Sequence, residues 1–553
     1  KEAVMFRFPL RTNEMAETSD ISSSEMTQED LRDLMNKFKN EMFEYLLFVN
    51  NVKEISLWEV DEISGEPVEC YRVKASIEPE DEKKRQEFGM NARRVSQQLK
   101  KGEKLLSEIE MKEITYVMTI EDSRERKEDW LVVQRTGFEK KTEIPESVFT
   151  AYDKKELGLL PRGGVATVLN STSPMSHQMK AYCFLPLPQE TGLPVNINGH
   201  FALDHEARRN LWQGEDSRGE WNKVLLQGVI APCYVTTLCR ARYFLQLEPN
   251  GDHVTRSTCT RQEMTLRLTK LCDLLPGIEE TPKDFCWKSE KEFKAGSNAK
   301  YPPSDRYWIA LTQYVYQYIN QHQVRILPVL RGFDSKSNTS RNPKKVKHSF
   351  AVYWFFPCGK GKDEAFFNDL QNFPCPPSNI DDDEKRKSRQ EMQEEIQLLL
   401  LRTGFNLVKF PLSVYEAFRM SGVNVSLTSP SAVIEFYKSF NKEESPCNIG
   451  CIPAPIASTP FKNEKFLFLV LHYCKTDNEF SNKLNGLPLL LTCDNQLRCF
   501  SGQSPTFISR FYNLLPECSE MFVHPKLHEI FCEPEFLTHD VFKEFDVKEF
   551  ASL

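Results

Sequence analysis

The residue types best suited to bind a metal ion lie near the end of the chain. His524, His528 and Cys532 are spaced at i, i+4 and i+8, which on one continuous α-helix places all three on the same face. Imidazole and thiolate both suit zinc, but a closed structural site needs a fourth ligand, and Glu533 or His539 would have to supply it. The favoured alternative is a capping histidine, a surface histidine and a buried cysteine. We therefore expect no metal site and no other cofactor.

Two consecutive arginines form the second group with potential chemistry. Arg208 and Arg209 follow a stretch, residues 182–204, that is typical of a strand, a Pro/Gly turn and an extended segment. We predict that both lie in a helix over residues 205–212. Guanidinium groups beside a turn either bind an anion or form ordinary surface ion pairs. The residues alone favour surface ion pairs.

Sequence patterns for phosphate binding and nucleophilic catalysis are missing. The chain contains neither GxGxxG nor GxxxxGK[ST], the glycine-rich patterns whose backbone cradles phosphate groups. Residues 359–362 read GKGK, but they lack that spacing and are predicted to form a surface turn. There is no GxSxG nucleophile elbow. We assign no catalytic residue, and we predict that this chain is not an enzyme and that alone it neither binds nor hydrolyses ATP.

Composition excludes several further classes of protein. The 553 residues are 40% hydrophobic and 27% charged, which indicates a folded protein rather than a disordered one. A net charge of −8 argues against a nucleic-acid binder. No uninterrupted apolar run reaches the roughly 18 residues of a membrane span, so we expect no membrane insertion. The 16 cysteines are dispersed without any CxxC pair, which predicts free thiols in the cytosol or nucleus.

Hydrophobic periodicity predicts a fold of the α/β (α+β) class with mixed sheets and packed helices. A helix begins after Thr27, where Asp30 completes a capping pattern. Residues 54–60 and 69–77 then read as a hairpin around Ser64 and Gly65. Further along, helices are predicted over residues 80–108, 220–247 and 305–321, and a strand over residues 350–356.

Breaks in this pattern predict a multi-domain chain. We place an α+β domain at residues 25–272 and a mixed α/β domain at residues 303–553. Residues 273–302, rich in proline, glycine and lysine, are predicted to link them. Residues 1–24 are predicted to hold one strand, separated from its own sheet, and a polar linker. We therefore expect an excised piece of a larger protein.

Several segments together resemble the sacsin family of giant repeat chaperones. They are MFRFPLR at residues 5–11, YCFLPLP at 182–188, GLPVNINGHFALDHEARRNLW at 192–212, WN at 221–222 with VIAP at 229–232, and GLPLL at 486–490. The resemblance spans nearly the whole chain. It implies that residues 5–11 form the last strand of an ATPase domain related to that of heat-shock protein 90. The remainder would be the part of one sacsin repeat that lies downstream of that domain.

The resemblance also implies function. It favours a non-catalytic scaffold or co-chaperone segment that binds clients, filament proteins or other chaperones. The implied partners are the upstream ATP-binding domain, other repeats of the same protein, the heat-shock protein 70 system and intermediate filaments. The implied location is the cytoplasm, in association with the mitochondrial surface and the cytoskeleton.

A second resemblance suggests an alternative role. LPVNI at residues 193–197 looks like the catalytic-loop segment in the middle domain of heat-shock protein 90, where an arginine reaches the nucleotide phosphates. This chain has Gly199 at the matching position, so that role cannot be carried over. Asn198, Arg208 and Arg209 remain as the residues predicted to face the ATPase domain. The alternative function is an accessory half of an ATPase, acting on nucleotide bound by the upstream domain.

Overall fold

The chain divides into two compact units in a computed structural model. The first unit is Lys1–Leu245 with Asp273–Tyr318, and the second is Gln246–Cys272 with Ile319–Leu553. The structure describes residues 11–20, 22–60, 65–139, 144–171, 179–204, 209–247, 254–257, 260–278, 303–333, 349–360, 363–368, 382–439, 452–509 and 511–545. Both units combine helices with sheets, which confirms the predicted multi-domain α/β class. The predicted domain limits stay a prediction, and most of the predicted linker lies outside the described residues.

The described α-helices are short to medium in length. In chain order they are α1 Asn13–Glu17, α2 Gln28–Tyr45, α3 Pro79–Lys101, α4 Glu146–Asp153, α5 Ser217–Leu225, α6 Ala231–Phe244, α7 Arg261–Cys272, α8 Pro303–Gln321, α9 Asp382–Thr403, α10 Leu412–Met420, α11 Pro430–Lys438, α12 Glu464–Cys474, α13 His528–Phe531 and α14 Pro534–Leu537.

The long strands all belong to the first two-thirds of the chain. In order the described strands are β1 Glu54–Val60, β2 Pro67–Ile77, β3 Lys112–Asp122, β4 Lys127–Thr136, β5 Arg162–Ser171, β6 Lys180–Cys183, β7 Leu185–Glu190, β8 Asn196–Gly199, β9 Val254–Ser257, β10 Leu327–Phe333, β11 Ser349–Phe355, β12 Phe366–Phe367, β13 Leu407–Val408, β14 Ser426–Leu427, β15 Ala454–Pro455, β16 Leu490–Leu491, β17 Gln496–Arg498, β18 Thr506–Ile508 and β19 Phe542–Glu544.

Local chemistry explains where the first of these elements begin and end. The Thr27 hydroxyl accepts the N–H of Asp30 at 3.1 Å, and the Asp30 carboxylate accepts the N–H of Thr27 at 3.0 Å. This reciprocal capping box starts α2 where it was predicted. Helix α3 ends earlier than predicted, because Gly102 adopts the left-handed conformation (φ 74°) that stops a helix.

The first unit is built around a sheet of eight described strands. Their order is β1-β2-β3-β4-β5-β8-β6-β7, and the predicted hairpin forms its β1–β2 edge. Helices α2 and α3 pack on one face, where residues such as Phe43, Trp130 and Tyr182 are buried together. Helix α6 packs on the other face, against β4 and β5, and α5 packs against α4. The sheet is therefore a central layer between two layers of helix.

A π-helical turn joins α5 to α6 where the helix crosses the sheet. It covers Leu226–Ile230 and ends two residues before Pro232, which has no N–H to donate to the carbonyl of Gly228. The helix approaches β5 so closely that a Cβ atom on Gly163 would lie 2.7 Å from Cγ1 of Ile230. By length and composition alone Ser217–Phe244 could cross a membrane, but 72% of its apolar window is buried inside the described protein. A core helix passes the same test, and the packing against β4 and β5 places this one in the core.

The second unit has several small sheets around one apolar core. Strands β10, β11 and β9 form an antiparallel sheet, and β12 pairs in parallel with both β13 and β14. Buried side chains from α9, α11 and α12, such as Leu400, Tyr437 and Leu471, share the core with later loops. Helix α8, most of which belongs to the first unit, and strand β11 confirm the predictions over residues 305–321 and 350–356.

Candidate functional site

The stretch that carries the predicted arginines does not form the predicted helix. Residues 209–212 are not helical, and Leu211 bridges Leu203 instead. The Asp204 carboxylate accepts the N–H of Arg209 at 3.3 Å and the side-chain amide of Asn210 at 3.1 Å. The helix prediction was therefore wrong for these residues. Arg209 is exposed, and Arg208 lies outside the described residues.

The third residue predicted to face another domain, Asn198, is buried. It is 2% exposed, and its side-chain oxygen accepts the backbone N–H of Phe184 at 3.0 Å. Asn196, two residues earlier on β8, accepts the N–H of Lys180 in the same way at 2.8 Å. The two asparagines thus join β8 to the β6–β7 hairpin. Within this unit, Asn198 positions Phe184 rather than presenting its own side chain at the surface.

Gly199 is at a position where a larger residue would force the ring of Phe201 to move. A Cβ atom there would lie 2.6 Å from the ring of Phe201, which is closer than van der Waals contact allows. Gly199 pairs with Gly163 on β5, and the next N–H, from His200, donates to the carbonyl of Arg162 at 2.9 Å. An arginine at 199 would displace the ring of Phe201, but Arg162 already lies immediately beside this position on the neighbouring strand.

The histidine and cysteine residues near the end of the chain do not share one helix. His524 precedes a 3-10 turn, Pro525–Leu527, and its ring accepts the N–H of Lys526 at 3.3 Å. His528 begins the single-turn helix α13, which ends before the exposed Cys532. The i, i+4, i+8 spacing therefore does not align the three side chains. Across the described part of the chain, no three His, Cys, Asp or Glu side chains are grouped to hold a metal ion.

Sequence reasoning missed the most unusual charged group of the first unit, Arg162 at the start of β5. Its side chain is buried, with 5% exposed. Nη2 donates to the side-chain oxygen of Gln134 at 2.8 Å and approaches that of Asn50 at 3.4 Å. Its guanidinium also contacts the rings of Phe88 and Phe184, at 5.2 and 5.4 Å from their centroids. All of these neighbours are uncharged.

No carboxylate balances the charge of Arg162 within the described residues. Its buried Nε has no hydrogen-bond partner there. Burial lowers the pKa of Arg162 to about 10, Tyr116 acts in the opposite direction, and the nearby guanidinium groups of Arg85 and Arg93 lower it further. The group remains cationic at neutral pH. A buried charge that is neither paired nor fully hydrogen-bonded is costly, and proteins rarely keep one without a reason.

Helix α3 adds more positive charge to the same place. Arg85 is 5% exposed, bonds Glu82 at 3.2 Å and donates to the carbonyl of Val49. Its Nε, like that of Arg162, is buried and unpaired among the described atoms. Arg93 and Lys100, on the same helix, are exposed. Among the described residues Glu82 pairs with Arg85 and no carboxylate pairs with Arg162, so the group has an excess of positive charge.

His200 borders this group as a neutral donor. Its Nδ1 accepts the N–H of Leu160 at 2.9 Å, so the proton of the neutral ring is assigned to Nε2. Burial, Arg162 and Lys100 together lower the pKa of His200 to about 4. The ring therefore carries no charge at neutral pH and adds none to the group formed by Arg85, Arg162, Arg93 and Lys100.

Phe184 lies against Arg162 and His200 and has a strained backbone conformation. Its φ of 67° is in the left-handed region, which costs a non-glycine residue energy and is often found at functional sites. The bond from Asn198 holds it there, and its half-buried ring contacts both Arg162 and His200. The family-like segments at residues 182–188 and 192–212 thus meet at Arg162. We call Arg85, Arg162, His200 and Phe184, with Arg93 and Lys100 at the rim, the cationic cluster.

A second candidate surface is the β1–β2 edge of the sheet. Trp58 and Val60 alternate along β1 and are 54% and 61% exposed. Strand β1 is at one end of the sheet's order of described strands, so one of its edges has no described neighbour. An edge strand with apolar side chains is a template for pairing with another extended chain.

Comparison with known proteins agrees with the resemblance of the segments. Residues 1–72 match the family described as "Sacsin domain". The chain is 31% identical to sacsin of Homo sapiens over 573 residues, which covers 99% of this chain. It spans only 11% of the length of that relative. No solved structure matches, so the likeness to the middle domain of heat-shock protein 90 stays a prediction. The domain match and the identity along almost the whole chain establish that this is a sacsin-type segment.

Proposed function

We propose that this segment is a non-catalytic scaffold and co-chaperone unit that binds non-native polypeptide. The sacsin relationship supports a chaperone-related role in general. The β1–β2 edge supports the more specific activity, because it offers exposed apolar side chains beside an edge strand. An extended client segment would pair its backbone with β1 and place alternate side chains against Trp58 and Val60.

Suppression of client aggregation tests this proposal. The chain is mixed with a reporter enzyme that unfolds on mild heating, and light scattering is followed. We expect the unaltered chain to reduce scattering and the double variant Trp58→Ser, Val60→Thr to lose at least half of that effect. Leu514→Ser is the matched control, because Leu514 is 64% exposed but belongs to the second unit. Equal suppression by the double variant and the control would reject the edge as the client site.

The remaining partners and the location are part of the same proposal. They are other repeats of the parent protein, the heat-shock protein 70 system and intermediate filaments, in the cytoplasm near mitochondria. Support for a reducing compartment comes from Cys233 and Cys474, which are free thiols buried in the protein. Burial raises the pKa of both thiols well above the ordinary value, so they suit a role as small core residues. Thiol titration of the denatured chain without reductant checks this, and 16 reactive thiols are expected.

A second candidate function is the accessory half of an ATPase, and one observation favours it. Gly199 matches the position of a phosphate-binding arginine in the resemblance, and Arg162 lies beside it on β5. Arg162 would then replace the missing residue. The test joins the chain to the upstream ATP-binding domain and compares turnover of Arg162→Met with that of Arg209→Ala. A loss of about tenfold or more in the first variant alone supports this function, and equal turnover of all three proteins rejects it.

A further inference from the structure

We propose that the cationic cluster binds a phosphate-class oxyanion in the first unit. The proposal does not depend on client binding at the β1–β2 edge, and it does not require the phosphate to belong to a nucleotide. Its basis is the juxtaposition of two buried guanidinium groups, from α3 and β5, that have unsatisfied donors and too few carboxylates.

The unsatisfied donors are the first step of the argument. Nε of Arg85 and Nε of Arg162 are both buried without a partner among the described residues. Leaving such a donor unpaired costs about 1–3 kcal/mol, and more when the group is charged. One acceptor bound between Arg85 and Arg162 would give a partner to both Nε–H groups.

The charge of the cluster sets the chemistry of that acceptor. Glu82 pairs with Arg85, and it also pairs with Lys53 at 2.8 Å, so it cannot neutralise Arg162 as well. An acceptor for two guanidinium groups must therefore be anionic and have several oxygen atoms. Phosphate meets both requirements, and guanidinium binds it with strong charge-assisted hydrogen bonds.

The borders of the cluster suit an anion that arrives from solvent. Arg93 and Lys100 are exposed on α3 and would attract a negative charge. The Phe184 ring is only half buried and contacts Arg162 at 5.4 Å. The neutral ring of His200 adds an Nε2 donor. The backbone of Phe184, held by its hydrogen bond to Asn198, keeps this half-buried side chain beside the guanidinium.

Calorimetry and thermal unfolding of the whole chain test the site, with inorganic phosphate as the first probe. We expect saturable binding and a rise in Tm that exceeds the rise in sodium chloride at equal ionic strength, because a ligand of the folded state stabilises it. Arg162→Met should weaken binding at least tenfold. The double variant Arg93→Gln, Lys100→Gln changes only exposed residues, so it should fold normally and weaken binding several-fold. Arg419→Met, an exposed arginine of the second unit, is the control and should bind as the unaltered chain does.

ATP is the second probe, and it distinguishes the source of the phosphate group. Binding of ATP that depends on Arg162 and exceeds that of inorganic phosphate assigns the site to a nucleotide, whereas tighter binding of inorganic phosphate assigns it to the free ion. Both outcomes support the oxyanion site. Absence of binding by both probes overturns it, as does equal binding by Arg162→Met and Arg419→Met. Neither of these negative results would affect the aggregation assay, which tests the edge strand separately.

Discussion

Arg135 and Arg162 lie on neighbouring strands of one sheet, but their guanidinium groups meet opposite surroundings. Arg135 pairs with Gly163 in register, and Arg162 pairs with Thr136, so the two side chains lie on opposite faces. On the α6 face, Arg135 bonds Glu113 at 2.7 Å and Glu139 at 3.2 Å. On the α3 face, Arg162 has only uncharged partners among the described residues.

The titration behaviour of the two groups follows from these surroundings. Burial acts to lower the pKa of both guanidinium groups. For Arg135 the interactions with Cys233, Glu113 and Tyr318 together outweigh burial and raise the pKa above its ordinary value. For Arg162 burial dominates and lowers the pKa to about 10.

The network around Arg135 explains why it needs nothing from outside. Thr236 donates to Glu113 at 3.2 Å, and Tyr318 donates to Glu139 at 2.8 Å, so both carboxylates have further donors. This arrangement ties β3, β4, α6 and α8 together within the first unit. Arg162 also joins several side chains, but all of them are uncharged. Its positive charge is therefore not balanced, and its Nε–H has no partner among the described residues. The difference indicates that Arg135 serves the fold and that Arg162 is kept for a ligand.

The largest expected effect is that of removing the compensated charge. Arg135→Met should lower the free energy of unfolding by about 3 kcal/mol, because it leaves the partly buried Glu113 and Glu139 without a cation. Urea unfolding monitored by circular dichroism measures this. Arg419→Met is the control, since the Arg419 side chain is 66% exposed in its pair with Glu416 and should change stability by less than about 1 kcal/mol. A loss for Arg135→Met no larger than that of the control would contradict the contrast between the two faces.

Much of the first unit could be predicted from the sequence, because short-range rules decide it. The capping box at Thr27 and the hairpin turn near Gly65 depend on residues within a few positions of each other. The helix predicted over residues 205–212 was wrong for 209–212, because the Asp204 carboxylate accepts the N–H of Arg209 and the side-chain amide of Asn210. Such hydrogen bonds from a side chain compete with helix formation, and helix propensities do not account for them. The π-helical turn near Pro232 was missed for a related reason: it depends on how the helix meets the sheet.

The cationic cluster could not be predicted from the sequence, because it is formed by residues that are far apart along the chain. Arg162 bonds Asn50, 112 residues away, and Gln134, 28 residues away. No sequence pattern reveals that a carboxylate is missing from such a group. The one available signal was the pair Gly163 and Gly164 directly after an arginine, which marks a close backbone approach inside a strand. Conversely, the spacing of His524 and His528 suggested a site only if a continuous helix formed, and Pro525 starts a 3-10 turn there instead.

The second prediction concerns how stability depends on pH through His200, a member of the cationic cluster. The pKa of His200 falls from 6.5 to about 4 on folding, so between these values the unfolded chain takes up a proton that the folded chain does not. Stability is therefore lost as pH falls below about 6.5. From pH 7 to pH 5 the unaltered chain should lose about 2 kcal/mol more than His200→Gln loses.

Urea titrations at the two pH values measure this difference. The pH dependence of the unaltered chain is the reference, and His322→Gln, at an exposed histidine, is the matched control. If His200→Gln also shows that dependence, the ring is protonated in the folded state and the cationic cluster does not exclude further positive charge.

The smallest expected effect is that of removing the uncompensated charge, and it separates the two arginines most sharply. Arg162→Met removes hydrogen bonds to Gln134 and Asn50, each worth about 1 kcal/mol, but it also removes a buried cation whose replacement by an apolar side chain often stabilises. These terms oppose each other, so the free energy of unfolding in phosphate-free buffer should change by less than about 1 kcal/mol. Adding phosphate should then stabilise the unaltered chain and leave Arg162→Met unchanged, so that the cost of the substitution grows with phosphate concentration. A cost near that of Arg135→Met, independent of phosphate, would make Arg162 a structural residue and remove the reason to distinguish the two faces of the sheet.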